Sequence, residues 1–376
     1  KIGWHVLHFA ALYLLQIRRM VKSRSGAKVN TMPNGFDRMA RESGISASVA
    51  AVVIGRNEGE RLKHCLASLM DQAVRTVYVD SGSTDGSVAH ARALGIEVVE
   101  LDTTAPFTAA RGRNAGFAAL TAKGPLPDYV QFVDGDCAVA PGWIAAAAAH
   151  LDAAPDLGIV TGWRSEIHRD RSIYNAMCDV EWHRPAGEIE TCGGDMMVRS
   201  DAFVELNGLR PHLIAGEDEE FCLRMRQSGR RIERLPLEMT YHDAGMTRFS
   251  QWWRRSVRTG HGFAQIGTLY PHHWRAERRR VWIYGLILPV LAMAGIFLAL
   301  ARRNPALLVL PFMALGAYAL SWLRTCLHLI RADHSRRESA LHALFLTLSK
   351  FPNLIGMMTY YWRRWRSREM RLIEYK

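Results

Sequence analysis

SVAAVVIG (48–55) is a continuous apolar run of strand length, the pattern of a strand buried on both faces of a parallel sheet. The elements after it alternate. Asn57 to Met70 reads as a helix with Leu62, Cys65, Leu66 and Leu69 on one face, TVYVD (76–80) as a strand, and DGSVAHARALG (85–95) as a helix closed by Gly95. IEVVEL (96–101) and YVQFVDGD (129–136) supply further strands, and PGWIAAAAAHLDAA (141–154) a helix opened by Pro141. Strands and helices in this order give an α/β, doubly wound architecture.

Beyond residue 250 the pattern changes. Val281 to Ala301 is uncharged and apolar, bounded by Arg278-Arg279-Arg280 and Arg302-Arg303. At about 1.5 Å per residue, roughly 20 residues cross the roughly 30 Å of bilayer hydrocarbon. Pro305 to Leu323 is a second such run, so close behind that the two form a hairpin. Arg275, Arg278, Arg279, Arg280, Arg324, Arg331, Arg336 and Arg337 flank its open end and outnumber the tip pair. The positive-inside bias therefore puts the preceding domain in the cytoplasm, at the inner (cell) membrane. The tip arginines keep a re-entrant hairpin open as the competing geometry. Leu341 to Trp362, interrupted by Lys350, Pro352 and Asn353, is expected to kink or lie on the surface, with YYWRRW (360–365) as an interfacial belt.

The division that follows has an N-terminal interfacial amphipathic helix (1–24), a linker (25–47), a catalytic domain (48–260) and a membrane-associated helical region (261–376). The last contains the hairpin 281–301 and 305–323 and an interfacial helix 339–362. In the first segment Arg18, Arg19, Lys22 and Arg24 follow the apolar run, an order that suits anionic lipid; a surface helix packed on the domain is the alternative. The net charge of +12 calls for an anionic partner. The basic residues concentrate in the apolar C-terminal third and the N-terminal segment, not in a groove interleaved with aromatics, which argues against nucleic acid. Six cysteines without a C-x-x-C pair read as reduced thiols of a cytosolic domain.

The acids carry the chemistry. Asp134-Gly135-Asp136 ends a strand, and a sheet's C-terminal edge is where ligands bind, so this pair is placed to hold a hard divalent cation; a solvated pair in a turn is the plain alternative. Asp80 ends another strand and is expected to contact a nucleotide base, while Asp85 caps the following helix. Arg56-Asn57-Glu58 follows the first strand on the same edge, and Arg111 and Arg113 are placed to face a diphosphate or base. Glu217-Asp218-Glu219-Glu220 reads equally as helix stabilisation through the dipole or as the source of a carboxylate that accepts a proton.

VVIGRNEGERL, VDSGSTDGS, RGRNAG, FVDGDC, CGGDMMVRSDAF and GEDEEFCLRMRQSG, in that order between about Val49 and Thr259, resemble the family 2 glycosyltransferases. The resemblance implies a GT-A-type (Rossmann-like) mixed sheet flanked by helices. It implies donor binding by Arg56, Glu58, Asp80, Arg113, Asp134 and Asp195, with Asp80 and Arg113 at the base. Asp136 is similar to the direct metal ligand, His242 to a further one, and Asp218 to the catalytic base with Glu217 beside it. Gln251, Trp252, Trp253 and Arg254 resemble, without matching, the Q-x-x-R-W acceptor and gating element of processive synthases. The implied reaction is an inverting, Mg2+- or Mn2+-dependent transfer from a nucleotide-sugar donor, with UDP expected as the nucleotide. The acceptor expected is a membrane-presented glycolipid or polyprenyl-diphosphate-linked saccharide of surface polysaccharide assembly; a soluble acceptor is the alternative. Outside this class stand a nucleotidyltransferase, for which VVIGRNEGE lacks glycine density, and a catalytically silent membrane-bound scaffold.

Overall fold

The computed structural model describes residues 48–374, so the helix and linker expected over 1–24 and 25–47 lie outside the described residues. The first half runs β1 (Val49–Gly55), α1 (Glu60–Met70), β2 (Arg75–Asp80), α2 (Ser87–Ala93), β3 (Glu97–Glu100), α3 (Ala109–Ala122), β4 (Tyr129–Asp134), β5 (Cys137–Val139) and α4 (Trp143–Ala153). It continues through β6 (Leu157–Glu166), α5 (Ile173–Trp182), β7 (Gly187–Glu188), β8 (Met196–Arg199), α6 (Ser200–Glu205), α7 (Glu217–Gln227) and β9 (Arg231–His242). The sheet order is β3-β2-β1-β4-β8-β6-β9-β5, with β7 paired to β9. β1 lies between β2 and β4, parallel to both, so the strand order reverses there and a crevice opens beyond the C-terminal ends of β1 and β4. β8 runs antiparallel to β4 and β6, which makes the sheet mixed, as the GT-A type requires.

The apolar run of β1 serves both faces. Ala51 and Val53 pack with Leu62, Leu66, Leu69 and Trp143, while Ala50 and Val52 pack with Val77, Phe117, Leu120 and Phe221. α3 approaches β1 so closely that a Cβ on Gly116 would stand 2.3 Å from a Val52 methyl, which only glycine permits. α1 begins later than the amphipathic pattern suggests. Asn57 (φ 55°) and Gly59 (φ 53°) are both left-handed, so the stretch after β1 is a turn that spreads Arg56 to Glu58 along the crevice before the helix starts. The six cysteines are buried and free.

The C-terminal region comprises α8 (Phe249–Leu269), α9 (Arg275–Trp282), a π turn (Ile283–Ile287), α10 (Leu288–Ala301), α11 (Val309–Arg331), α12 (Arg336–Leu348) and α13 (Lys350–Trp365). Arg275–Ala301 and Pro305–Arg331 are long and apolar enough to cross a membrane, by length and composition. Their apolar side chains face outward: Leu300 is 75 % exposed, Phe297 and Phe312 69 %. Residues 339–362 hold parts of two helices that meet at Ser349, with Pro352 in the first turn of α13, where its missing N–H costs nothing. α13 is bound into the protein along one side. A Cβ on Gly260 of α8 would lie 2.0 Å from the Asn353 carbonyl oxygen, and one on Gly356 1.9 Å from that of Val257.

The two backbones meet with no room for a side chain. Gly260→Val and Gly356→Val are each expected to lower the thermal midpoint in detergent, by an overpacking cost of at least about 1–3 kcal/mol. Gly316→Ala, whose added carbon meets nothing within 4 Å, does not lower the midpoint in the same melt, since alanine favours a helix interior.

Candidate active site

The crevice is a cleft of about 740 Å³. Arg56, Glu58, Arg113, Asp134, Asp136, Glu217, Asp218 and His242 all line it, so residues scattered from 56 to 242 meet in one place. Arg113 of α3 joins them. It is 2 % exposed, donating through Nη2 to Asp134 Oδ1 (2.7 Å) and through Nη1 to Glu217 Oε1 (2.9 Å). Gly194 makes space for that fork, since a Cβ there would lie 2.0 Å from Arg113 Nη2.

Asp80 and Asp195 are buried behind the cleft wall. Asp80 accepts from the backbone N–H groups of Gly82 and Ser83 (2.8 Å each) and from the Tyr78 hydroxyl (2.7 Å), so it shapes the turn after β2. Asp195 accepts from the Asp134 backbone N–H (2.9 Å) and the Thr240 hydroxyl (2.9 Å) and pairs with Arg164 (2.7 Å). Asp85 accepts from the Ser87 and Gly59 backbone N–H groups, which ties the start of α2 to the turn before α1. The Arg111 guanidinium donates to the carbonyls of Asp102, Ala105 and Pro106, which commits it to its own loop.

Cys137 pairs with His242 across β5 and β9, which brings Asp136, Cys137 and His242 to one buried spot with ligand atoms within 4.8 Å of one another. His242 Nε2 is 3.2 Å from Asp136 Oδ2, and its Nδ1 is 3.6 Å from Glu166 Oε2. Burial pushes the imidazole below its usual pKa, so the ring is neutral near pH 7, and the edge of Trp182 covers it at 4.5 Å. Burial likewise raises the Cys137 thiol well above its usual value; hard Mg2+ and Mn2+ prefer the carboxylate and imidazole to a soft sulfur as donors. One hard oxygen and one borderline nitrogen converging on a cleft suit Mn2+ or Mg2+.

The four acids at the start of α7 have separate fates. Glu217 is held by Arg113, Glu219 faces His273 (2.8 Å), and buried Glu220 pairs with Arg210 (2.6 Å) and Arg224 (2.9 Å). Asp218 alone of the four has no ion pair among the described residues; its Oδ1 accepts from the Glu219 backbone N–H (2.8 Å). Burial first, then the charge of Glu217, raise its pKa well above the ordinary carboxylate range. Such a group releases and takes up its proton nearer neutrality than an exposed aspartate does.

Gln251, Trp252, Trp253 and Arg254 do not line the cleft. Gln251 caps α8, its Oε1 accepting from the Thr247 and Arg248 N–H groups, and Trp252 is buried against Phe345. Trp253 contacts Phe249 and Arg254 is exposed. Arg255 and Arg258, on the next face of the helix, line the cleft instead, with Arg255 paired to Glu181 (2.8 Å). Sequence reasoning also missed Arg164, Glu166, Trp182 and Trp274. LGIVTGWRSE begins apolar and carries Arg164 and Glu166 near its end, only a partial signal for the first two. The C-terminal segment reaches the cleft as well, where Glu374 pairs with Arg56 (2.6 Å).

Residues 50–200 match the model of glycosyl transferase family 2, and residues 173–246 that of the N-terminal domain of galactosyltransferase. The chain is 25 % identical over 239 residues to the pre-mycofactocin glycosyltransferase of Mycobacterium tuberculosis, covering 59 % of this chain and 48 % of that protein. It thus spans about half the length of that curated relative. Among solved structures it is similar to a mannosyltransferase of Pyrobaculum calidifontis in complex with GDP-Man and Mn2+, at a TM-score of 0.51 and 20 % identity over 96 % of this chain and 98 % of that one. That second likeness is one of fold.

Arg113→Met would leave Glu217 and Asp134 facing each other without their shared cation. A loss of roughly 3–5 kcal/mol in unfolding free energy by urea titration is expected, the range for breaking a buried pair. Arg56→Met, at a surface pair, should change the same quantity by less than about 1 kcal/mol.

Proposed function

We propose that this chain, whose residues 50–200 are a family 2 glycosyltransferase domain, carries out an inverting, metal-dependent transfer from a nucleoside-diphosphate sugar to a hydroxyl of a membrane-presented acceptor. The observation that supports it most is the meeting of two carboxylate groups in one cleft, Asp134 and Asp136 on one side and Glu217 and Asp218 on the other, with Arg113 between them. Asp136 and His242 would hold Mn2+ or Mg2+, which supplies the positive charge that stabilises a departing nucleoside diphosphate. The mannosyltransferase of similar fold was solved with GDP-Man and Mn2+; for this chain the donor proposed is a UDP-sugar.

In this reading Asp218 takes the proton of the acceptor hydroxyl as that oxygen bonds to the sugar C1, and the bond from C1 to the diphosphate oxygen breaks on the opposite face. Glu217 is ion-paired and buried, so its part is to keep Arg113 and the start of α7 in register. Asp218, half-buried and without an ion pair among the described residues, has the poised pKa a general base needs. Arg56, Glu58, Arg113 and Asp134 face the donor, while Asp80 and Asp195 act from behind, by shaping the loop and strand end that the donor meets.

The membrane part of the proposal rests on where the hairpin begins. Trp274 lines the cleft, and the helix that starts at Arg275 passes through the basic stretch Arg275–Arg280 into the apolar run from Val281, which sets the cleft close to the level of a bilayer surface. The outward apolar faces of α10 and α11 form a patch of the kind that marks a membrane or protein contact. We assign the hairpin to the inner membrane, the catalytic domain to its cytoplasmic face, and the acceptor to a glycolipid or polyprenyl-diphosphate-linked saccharide at an anionic lipid surface.

Asp218→Asn should retain donor binding, measured by calorimetry, and lower turnover roughly 10²- to 10⁴-fold; near-normal turnover removes Asp218 from the role. In the unaltered enzyme kcat/KM should fall as pH drops and Asp218 is protonated. The midpoint should lie well above the value of about 3.9 for an unperturbed aspartate, because the carboxyl's pKa is raised.

A further inference from the structure

We propose that Arg363, Arg368 and Arg371, with Trp362 beside them, form a binding site for the phosphate of an anionic lipid headgroup at the base of the hairpin. This rests on the reading of the hairpin as a membrane element and deepens it by naming the residues that meet the bilayer surface.

The site begins with the way the chain leaves α13. Ser367 takes up the left-handed region (φ 50°), and the chain turns back so that the Arg368 N–H donates to the Arg363 carbonyl (2.8 Å). The Arg363 guanidinium reaches along the returning segment and donates to the Arg371 carbonyl (2.9 Å). The fold-back encloses a cavity of about 380 Å³ lined by Trp362, Arg363, Arg368, Glu369 and Arg371. That size lies within the roughly 300–1,000 Å³ of small-ligand sites.

Three guanidinia share this cavity with one carboxylate, Glu369, which stands 3.6 Å from Arg371. Burial, and then the charge of Arg371, lower the Arg363 pKa, as like charges brought together must. The helix dipole accounts for basic residues in the last turn of α13 but not for Arg368 and Arg371, which lie beyond it. An excess of forked N–H donors around one space matches the several oxygens of a phosphate group.

The surroundings select a lipid over a free ion. Met370 packs with Val281, the first residue of the apolar run, and with Met357 and Tyr360, so the cavity lies where the basic stretch 275–280 gives way to that run. Trp362 is 44 % exposed and Trp365 74 %, and the guanidinia of Arg368 and Arg366 stand over their rings at 4.7 and 4.8 Å. Exposed tryptophans beside arginines suit the level of the headgroups, where one side is apolar and the other wet. A free phosphate would make no use of the rings.

Apparent affinity can be read from the thermal midpoint of the full chain in dodecyl maltoside as lipid is added, since a ligand that binds only the folded protein raises it. Phosphatidylglycerol should raise the midpoint; phosphatidylcholine and inorganic phosphate at the same concentration should not. Arg368→Gln/Arg371→Gln, in the exposed returning segment, should weaken the phosphatidylglycerol response about 10- to 30-fold, on about a fivefold contribution per basic residue at an anionic surface. Arg92→Gln/Lys123→Gln removes the same charge beside β3, where both pair with acids of that strand, and should leave the response unchanged. Salt raised from about 50 to about 500 mM should weaken the response of the unaltered protein, a readout that needs no variant to fold.

An undiminished response in Arg368→Gln/Arg371→Gln, or equal weakening in both double variants, overturns the site. An equal response to inorganic phosphate overturns the assignment to lipid. These outcomes leave the membrane reading of the hairpin standing. Unaltered protein that alkaline carbonate washes from phosphatidylcholine vesicles contradicts that reading instead, whatever the lipid response in detergent.

Discussion

The Arg113 fork holds this cleft together. A guanidinium removed from water needs its charge met, and Asp134 and Glu217 meet it from β4 and from the first residue of α7, elements 83 residues apart in the chain (217 minus 134). Buried ion pairs contribute little net stability against well-packed apolar side chains, but they permit only one geometry. Here that geometry sets α7 against the sheet edge, and Asp218, one residue past the fork's anchor, is held at the cleft by that register. Gly194 and the Asp195 carboxylate extend the same constraint, one by vacating space for the fork and the other by holding the Asp134 backbone.

The sheet was legible in the sequence wherever a strand is buried on both faces, because such strands are almost wholly apolar. β1, β2 and β4 follow that rule, and Asp80 and Asp134 mark the ends of the last two. β6 does not: bulges near Gly162 and Trp163 shift its register, and Arg164 and Glu166 follow within the strand itself, so the run reads as broken although it supplies two residues that support the site. The sequence shows that an acid ends a strand but not which way its carboxyl turns. Asp134 and Asp136 face the cleft, whereas Asp80 and Asp195 turn to backbone and arginine partners. The same limit explains α8, where the helical phase that places Gln251 in the cap and Trp252 in the core also places Arg255 and Arg258 on the cleft.

The cleft and the helix that leads into the hairpin meet at Trp274, a residue with φ 51° that ends the link between α8 and α9. A bulky side chain in the left-handed region is uncommon and is held there by its surroundings, here the rings of Phe263 and His273. α13 closes the arrangement by lying against α8 at glycine contacts, so the hairpin's base is bound to the helix that carries Arg255 and Arg258. A membrane at the hairpin would therefore lie at a fixed relation to the acids, which is what transfer to an anchored acceptor demands.

The central claim is that the two acidic groups around Arg113 form one nucleotide-sugar transfer site. Its most direct measurement is release of nucleoside diphosphate from a panel of UDP- and GDP-sugars, with a membrane lipid extract as acceptor, in the presence of Mn2+ and then of EDTA. The account predicts release from at least one donor, abolished by EDTA and restored by excess Mn2+. No release from any donor with Mn2+, or release indifferent to EDTA, would contradict it.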